Sequence, residues 1–147
     1  MTLKSGKNVS LKLNDSADSV RDLSAYVTSV RMSLKGRGLV DVTAMGDLGH
    51  TWAPDDLEDG TFTVDFWYEP TADTGTWSIL TGLRTTTAAK AFQIGPHGNT
   101  AGYPKISGNC WLEDLPLEAA VGDMIKLSGV PFKIDAAVAI ATMTAGD

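Results

Sequence analysis

From Thr61 to Glu69 every second residue is large and apolar: Phe62, Val64, Phe66 and Tyr68 alternate with Thr63, Asp65, Trp67 and Glu69. A period of two marks a β-strand with one face in a core, whereas a helix would repeat its apolar positions at three and four. Most of the chain follows the same rule. Val9, Leu11 and Leu13 alternate with Ser10, Lys12 and Asn14 ahead of the turn-forming Asn14-Asp15-Ser16. Between Ala25 and Lys35, Tyr26, Val30, Met32 and Leu34 oppose Ser29, Arg31, Ser33 and Lys35. Further strands are predicted at Ala89 to Ile94, Lys105 to Glu113 and Asp123 to Ser128. Past a turn or bulge at Gly129-Val130-Pro131, two more follow at Phe132 to Asp135 and Ala136 to Thr142. One short helix is predicted from about Gly75 to Leu83, capped by Asp73 or Thr74, because Trp77, Leu80 and Leu83 recur at helical spacing. Short strands separated by Gly, Pro and Asp predict a mainly β chain, an antiparallel sandwich or barrel.

The stretch Gly36 to Gly60 reads as one long connection, with Asp41-Val42-Thr43 as a short extended piece and Pro54 as a breaker near its end. Loops beyond about 12 to 15 residues are uncommon in compact domains and usually functional or disordered. The chain of 147 residues is long enough to bury a core as one domain without disulfides. No segment has the roughly 18 consecutive apolar residues of a membrane helix, so membrane binding is not expected. Met1 to Leu13 mixes Lys4, Lys7 and Lys12 with polar residues and does not read as a secretory signal, so the expected site of synthesis and residence is the cytoplasm. The sequons at Asn8 and Asn14 therefore have no expected use.

Chemistry is hard to find. Twelve Lys and Arg stand against eighteen Asp and Glu, and a net charge of −6 opposes tight binding of phosphate backbones. His50 and His97 sit in Gly-rich turns without metal-ligand spacing, and no Gly-x-Ser-x-Gly turn offers a nucleophile. Cys110 alternates with Ile106, Gly108 and Leu112 and reads as a small buried hydrophobe. In the acidic run Asp55, Asp56, Glu58 and Asp59, Leu57 interrupts the alternation a calcium loop requires, so the run reads as a solvated turn. Gly95-Pro96-His97-Gly98 opens no helix and reads as a hairpin turn. The expectation is a protein without catalytic residues, cofactor or metal.

Trp67 and Trp111 fall on the polar side of strands whose other side supplies the core. A large aromatic there calls for cover: its own helix, a second subunit, or a sugar. Subunit contact is favoured over sugar, because Thr63, Asp65, Ser107 and Asn109 form no obvious sugar-binding set.

The order of features resembles the major tail-tube proteins of long-tailed, siphophage-like bacteriophages and related gene-transfer particles. The pieces that carry the resemblance are the early strand with its Asp15-Ser16 exit, Arg21-Asp22-Leu23-Ser24 leading into Tyr26-Val27-Thr28-Ser29-Val30, and Val40-Asp41-Val42-Thr43 in a long loop. They continue with the strand Phe62 to Tyr68, the Trp-bearing helix, Ile106-Ser107-Gly108-Asn109-Cys110-Trp111-Leu112, and Val121-Gly122-Asp123-Met124-Ile125-Lys126-Leu127-Ser128. Together they span nearly the whole chain. The resemblance implies two packed sheets and a helix, hexameric rings that stack into a tube walled by a ring-wide β-barrel, and passage of DNA without tight binding. It implies as partners other copies of the chain, a tape-measure protein, and tail terminator or baseplate proteins. It also implies that the long loop and terminal arms, about residues 1–8 and 143–147, reach neighbours, which makes Asp41, Trp52 and Asp55 candidate subunit contacts beside Trp67 and Trp111.

Strand alternation then makes Ser29, Arg31, Ser33, Thr63, Asp65, Ser107, Asn109, Lys126 and Ser128 the candidate lumen lining, with Arg31 and Lys126 expected to have nearby carboxylates. The rival readings are a carbohydrate-binding β-sandwich and a related ring protein, either a tail terminator or a secretion-system tube subunit.

Overall fold

The computed structural model describes residues 9–34, 39–54, 60–96, 98 and 101–144. In chain order its elements are β1 (Ser10–Asn14), β2 (Val20–Asp22), a single 3-10 turn (Ser24–Tyr26), β3 (Val27–Leu34), β4 (Leu39–Asp41), β5 (Trp52–Pro54) and β6 (Gly60–Trp67). These are followed by α1 (Thr76–Leu83), β7 (Lys90–Gly95), β8 (Pro104–Leu112) and β9 (Lys126–Thr142). Among the described residues β4 and β5 pair with each other, and the remaining strands form one antiparallel seven-stranded sheet in the order β2-β1-β7-β8-β9-β6-β3. The fold is mainly β with one α-helix, and the single chain closes no barrel.

The sheet is curled. β7 and β6 are three strand spacings apart, about 14 Å on a flat sheet at roughly 4.8 Å per strand, yet the Phe92 and Phe62 rings lie 4.8 Å apart. The wing β2-β1-β7 therefore folds over the wing β6-β3, and their apolar faces meet. Phe132 stacks on Phe62 at 4.7 Å, and Leu11, Leu13, Val64, Phe66, Ile94, Cys110, Leu127 and Val130 complete the interior. Helix α1 closes one end by sending Ile79, Leu80 and Leu83 into the same core.

Strand β9 is the hinge of this architecture. The sequence predicts separate strands over Asp123 to Thr142, but Lys126–Thr142 is one bent strand whose first half pairs with β6 and second half with β8. Of the two alternatives for Gly129-Val130-Pro131, a turn or a bulge, the structure has the bulge, and the boundary expected between Asp135 and Ala136 is a bulge as well. Ser128 and Gly129 bulge opposite Asp65, with Gly129 at φ +69°. The segment Ala136 to Val138 bulges opposite Gly108, with Ala136 at φ +61°. Extra residues in one strand raise its local twist and bend it, which lets β9 serve both wings.

Other boundaries shift less. The helix begins at Thr76 behind Gly75, with no side-chain cap from Asp73 or Thr74. Strand β2, which the sequence presents as a lead-in, pairs with the end of β1. Met143 continues the body: it is 2% exposed and exchanges hydrogen bonds with Tyr103 and Gly102.

Candidate functional site

Since the interior is filled with hydrocarbon, any function rests on the outer faces and on what projects from them. Cross-strand register fixes the first surface. Ser29 lies opposite Asp65, Arg31 opposite Thr63, and Ser33 opposite Thr61; Thr63 faces Pro131, Thr61 faces Lys133, and Trp67 faces Lys126 on the other side. Directly opposed residues point to one face. The structure thus gathers Ser29, Arg31, Ser33, Thr63, Asp65 and Lys126 on the solvent side of the β3-β6-β9 wing, with half-buried Ser128 in the bulge at its margin.

Ser107 and Asn109 do not join them. They sit on β8 opposite Gln93 and Ala91 and line a groove of about 430 Å³ with Lys12, Asn14 and Val20. That groove lies on the outer face of β1, β7 and β8, further along the same sheet from β3 and β6. Of the nine sequence-selected residues, seven thus lie on β3, β6 and β9 and two on β8, nearer β7 and β1.

The carboxylate partners expected for Arg31 and Lys126 are not seen as ion pairs among the described residues; Lys126 instead places its Nζ 5.5 Å from the centroid of the Trp67 ring. The nearby carboxylate, Asp65, is committed to the backbone, accepting a hydrogen bond from Gly129 N–H at 2.6 Å. Trp111 stands opposite Lys133 on the same wing and is 36% exposed. Neither Trp67 nor Trp111 belongs to the buried core, to which α1 contributes Ile79, Leu80 and Leu83.

The second surface is the long connection, which is not a simple loop. Leu39 pairs with Pro54, Val40 with Ala53 and Asp41 with Trp52, and the pairing extends through Val42 N–H to Thr51 O at 2.9 Å. The tip is knit by Asp41, which accepts hydrogen bonds from the Thr43 amide and hydroxyl and lies 3.2 Å from His50 Nδ1. Those bonds hold the Asp41 carboxyl below its ordinary range, the Thr43 hydroxyl contributing most. Asp47 accepts from Ala44 N–H at 2.7 Å, and Thr43 Oγ1 accepts from Thr51 N–H at 2.9 Å. From this scaffold Leu39, Val40, Val42, Met45, Leu48 and Trp52 are all more than half exposed. Asp55, the rest of the acidic run and His97 lie outside the described residues.

Cys110 is buried, and burial pushes its thiol up to about 12, which makes it inert packing at neutral pH. Among the described residues no group of three or more His, Cys, Asp or Glu is gathered for a metal.

The described residues thus form a curled antiparallel sandwich with one helix, an outer face of short polar residues and a two-stranded hairpin. Neither a family model nor a curated protein matches the sequence. Among solved structures, the fold is similar to a chain in the virion of a native gene transfer agent particle, with a TM-score of 0.73 at 13% identity, covering 95% of this chain and 99% of that one. It is also similar to a chain in the tail of an empty gene transfer agent particle determined with C6 symmetry, with a TM-score of 0.69 at 13% identity and the same coverage. At this identity the likeness is one of fold.

Proposed function

We propose that this chain is a non-enzymatic structural protein of a phage-like tail, specifically the subunit that builds the tail tube. The observation that carries the reading is the match, over 95% of this chain, to a chain in a tail of C6 symmetry. In this reading copies close into hexameric rings, the rings stack, and the β3-β6-β9 wing turns its polar face to the lumen.

The sheet edges support ring closure. Among the described residues β3 is an eight-residue strand with one unpaired edge, and β2 ends the sheet on the other side. A long unpaired edge invites pairing with another chain, and edge-to-edge pairing around a ring joins the sheets into one barrel. The hairpin arm and the exposed Trp111 supply further contacts between subunits. Tape-measure protein, and later DNA, occupy the lumen; terminator and baseplate proteins cap the ends, and the assembled location is the virion tail.

The test is sedimentation velocity with negative-stain microscopy of the purified protein over a wide range of concentration, salt and pH. Six-fold rings or tubes of uniform bore are expected. A protein that stays monomeric throughout would remove the tube reading.

A further inference from the structure

Between the end of β8 at Leu112 and the start of β9 at Lys126 the chain makes an excursion that closes on itself as a hairpin. Glu118 and Lys126 exchange backbone hydrogen bonds at 2.9 and 3.0 Å, and Asp123 N–H donates to Ala120 O at 3.2 Å to form the tip. Gly122, third in that turn, has φ +91°, which glycine adopts without strain. The base is fastened by Tyr68 N–H, which donates to Ile125 O at 3.1 Å.

This ordered hairpin holds apolar side chains in water. Val121 is 107% exposed, Met124 71%, Leu117 51% and Ile125 38%. Tyr68, bonded to Ile125, is itself half-buried against the half-buried Trp77, with the ring centroids 5.6 Å apart. Apolar side chains grouped at the surface and held in place by the backbone mark an interaction site, and methionine among them suits a partner of variable shape.

Charge says what kind of partner fits. From Ile106 to Ile125 the chain carries Glu113, Asp114, Glu118 and Asp123 and no Lys or Arg. Among the described residues none of these four carboxylates makes an ion pair. Glu118 shows why: the register sets Lys126 directly opposite, yet Lys126 Nζ is turned onto the Trp67 ring, 5.5 Å from its centroid. The cation nearest in register is thus engaged elsewhere, and Glu118 and Asp123 stand exposed on either side of Val121. The arm of a second copy does not complement them, because its exposed apolar residues stand with Asp41 and Asp47, charges of the same sign.

We propose that this hairpin is the docking site for a basic amphipathic segment of another protein. Apolar side chains of that segment cover Val121 and Met124, and its Lys or Arg side chains pair with Glu118 and Asp123. The site goes beyond the tube reading and does not depend on it.

The test is fluorescence anisotropy of a labelled synthetic peptide, an amphipathic pattern of Leu and Lys, titrated with the full chain. Saturable binding of one peptide per chain is expected, weakening as salt screens the charges. The double variant V121S/M124S should fold as wild type by circular dichroism, since both side chains are exposed, and should lower affinity about tenfold or more by removing the apolar cover. Glu118→Gln should weaken binding and flatten its salt dependence, whereas Asp135→Asn, which removes the same charge from β9, should not. A peptide of the same pattern with Glu in place of Lys should not bind. Binding that survives V121S/M124S, or that falls as far with Asp135→Asn as with Glu118→Gln, would reduce the effect to general attraction between a basic peptide and an acidic chain and overturn the site. Self-association of the wild type without peptide, lost in V121S/M124S, would assign the hairpin to a second copy and overturn it equally. A chain that forms no rings or tubes would remove the tube reading and leave this test unaffected.

Discussion

Asp65 in β6 and Gly129 in β9 are joined by a 2.6 Å hydrogen bond from the Gly129 amide to the Asp65 carboxylate, across the bulge that bends β9. The bond links a residue on the polar outer face to the hinge of the sandwich, so Asp65 is as much architecture as surface. Gly129 sits at φ +69° with open space around its α-carbon, which makes backbone conformation and not crowding the reason for glycine there. Gly129→Ala should cost about 1 kcal/mol, and Asp65→Ala about 1 to 2 kcal/mol through the lost acceptor. Asp65→Asn, which keeps an acceptor oxygen, should cost less than Asp65→Ala. Urea denaturation measures all three; an Asp65→Ala midpoint equal to wild type would separate the carboxylate from the bulge.

A second joint couples β6 to α1. Thr76, fully buried, donates its hydroxyl to Trp67 O at 2.7 Å and accepts from Glu69 N–H at 3.1 Å. A β-carbon on the preceding Gly75 would lie 2.2 Å from Glu69 O. Gly75→Ala should therefore force the backbone apart and cost about 2 to 3 kcal/mol. Thr76→Val, similar in volume but without the hydroxyl, should cost about 1 to 3 kcal/mol by leaving buried polar groups unmet; Thr76→Ser should restore most of it. Equal midpoints for the Val and Ser variants would show that shape and not hydrogen bonding holds the joint.

The arm should loosen in acid. Hydrogen bonds from Thr43, and contact with His50, hold the Asp41 carboxyl below its ordinary value. A group whose folded pKa is depressed contributes stability that is present above its unfolded pKa and is lost as pH falls through the folded value. The arm's hydrogen bonds should thus be intact at neutral pH and open below the ordinary carboxylate range, while the sandwich core stays closed. Amide exchange at Thr43 and Thr51, followed by NMR as pH is lowered, measures this. Asp41→Asn should remove the acid step; an unchanged step in that variant would assign it to another group.

Much of this was legible in the sequence because alternation is a local signal. Phe62, Val64, Phe66, Leu11, Leu13 and Cys110 are read correctly as interior, since the period of two needs no knowledge of partners. What failed was non-local. The Gly129 signal reads as a turn or a bulge and the Asp135-Ala136 boundary as a break between strands; only the pairing of β9 with both β6 and β8 makes both of them bulges in one strand. Ser107 and Asn109 look equivalent to Thr63 and Asp65 because alternation carries no information about curl. The arm reads as a loop because its strands are three residues each, too short for a periodic pattern.

Charge on the proposed lumen face is the remaining test, and Asp65 is the wrong residue for it because its loss also strikes the bulge. Thr63 is better placed: it is half-buried on the same face, opposite Arg31 on β3 and Pro131 on β9, and takes no part in the Asp65–Gly129 bond. Arg31 has no ion pair among the described residues, and Lys126 rests against Trp67, so the wing already presents cations that a passing phosphate can meet. On the tube reading these cations are isolated from one another by short hydroxyl side chains, in a chain that is acidic as a whole, at −6. Thr63→Lys would set a second cation beside Arg31 in every subunit and turn a ring of isolated charges into a continuous basic girdle. Tubes should form normally, since the interior is untouched, but DNA passage should slow. The slowing should be greatest at low salt, where the Debye length is about 30 Å at 0.01 M, and should fade towards 0.15 M, where it is about 8 Å. Arg31→Ser should shift passage in the opposite direction with the same salt dependence. Ejection kinetics unchanged by Thr63→Lys at low salt, in tubes of normal appearance, would place this wing away from the DNA path.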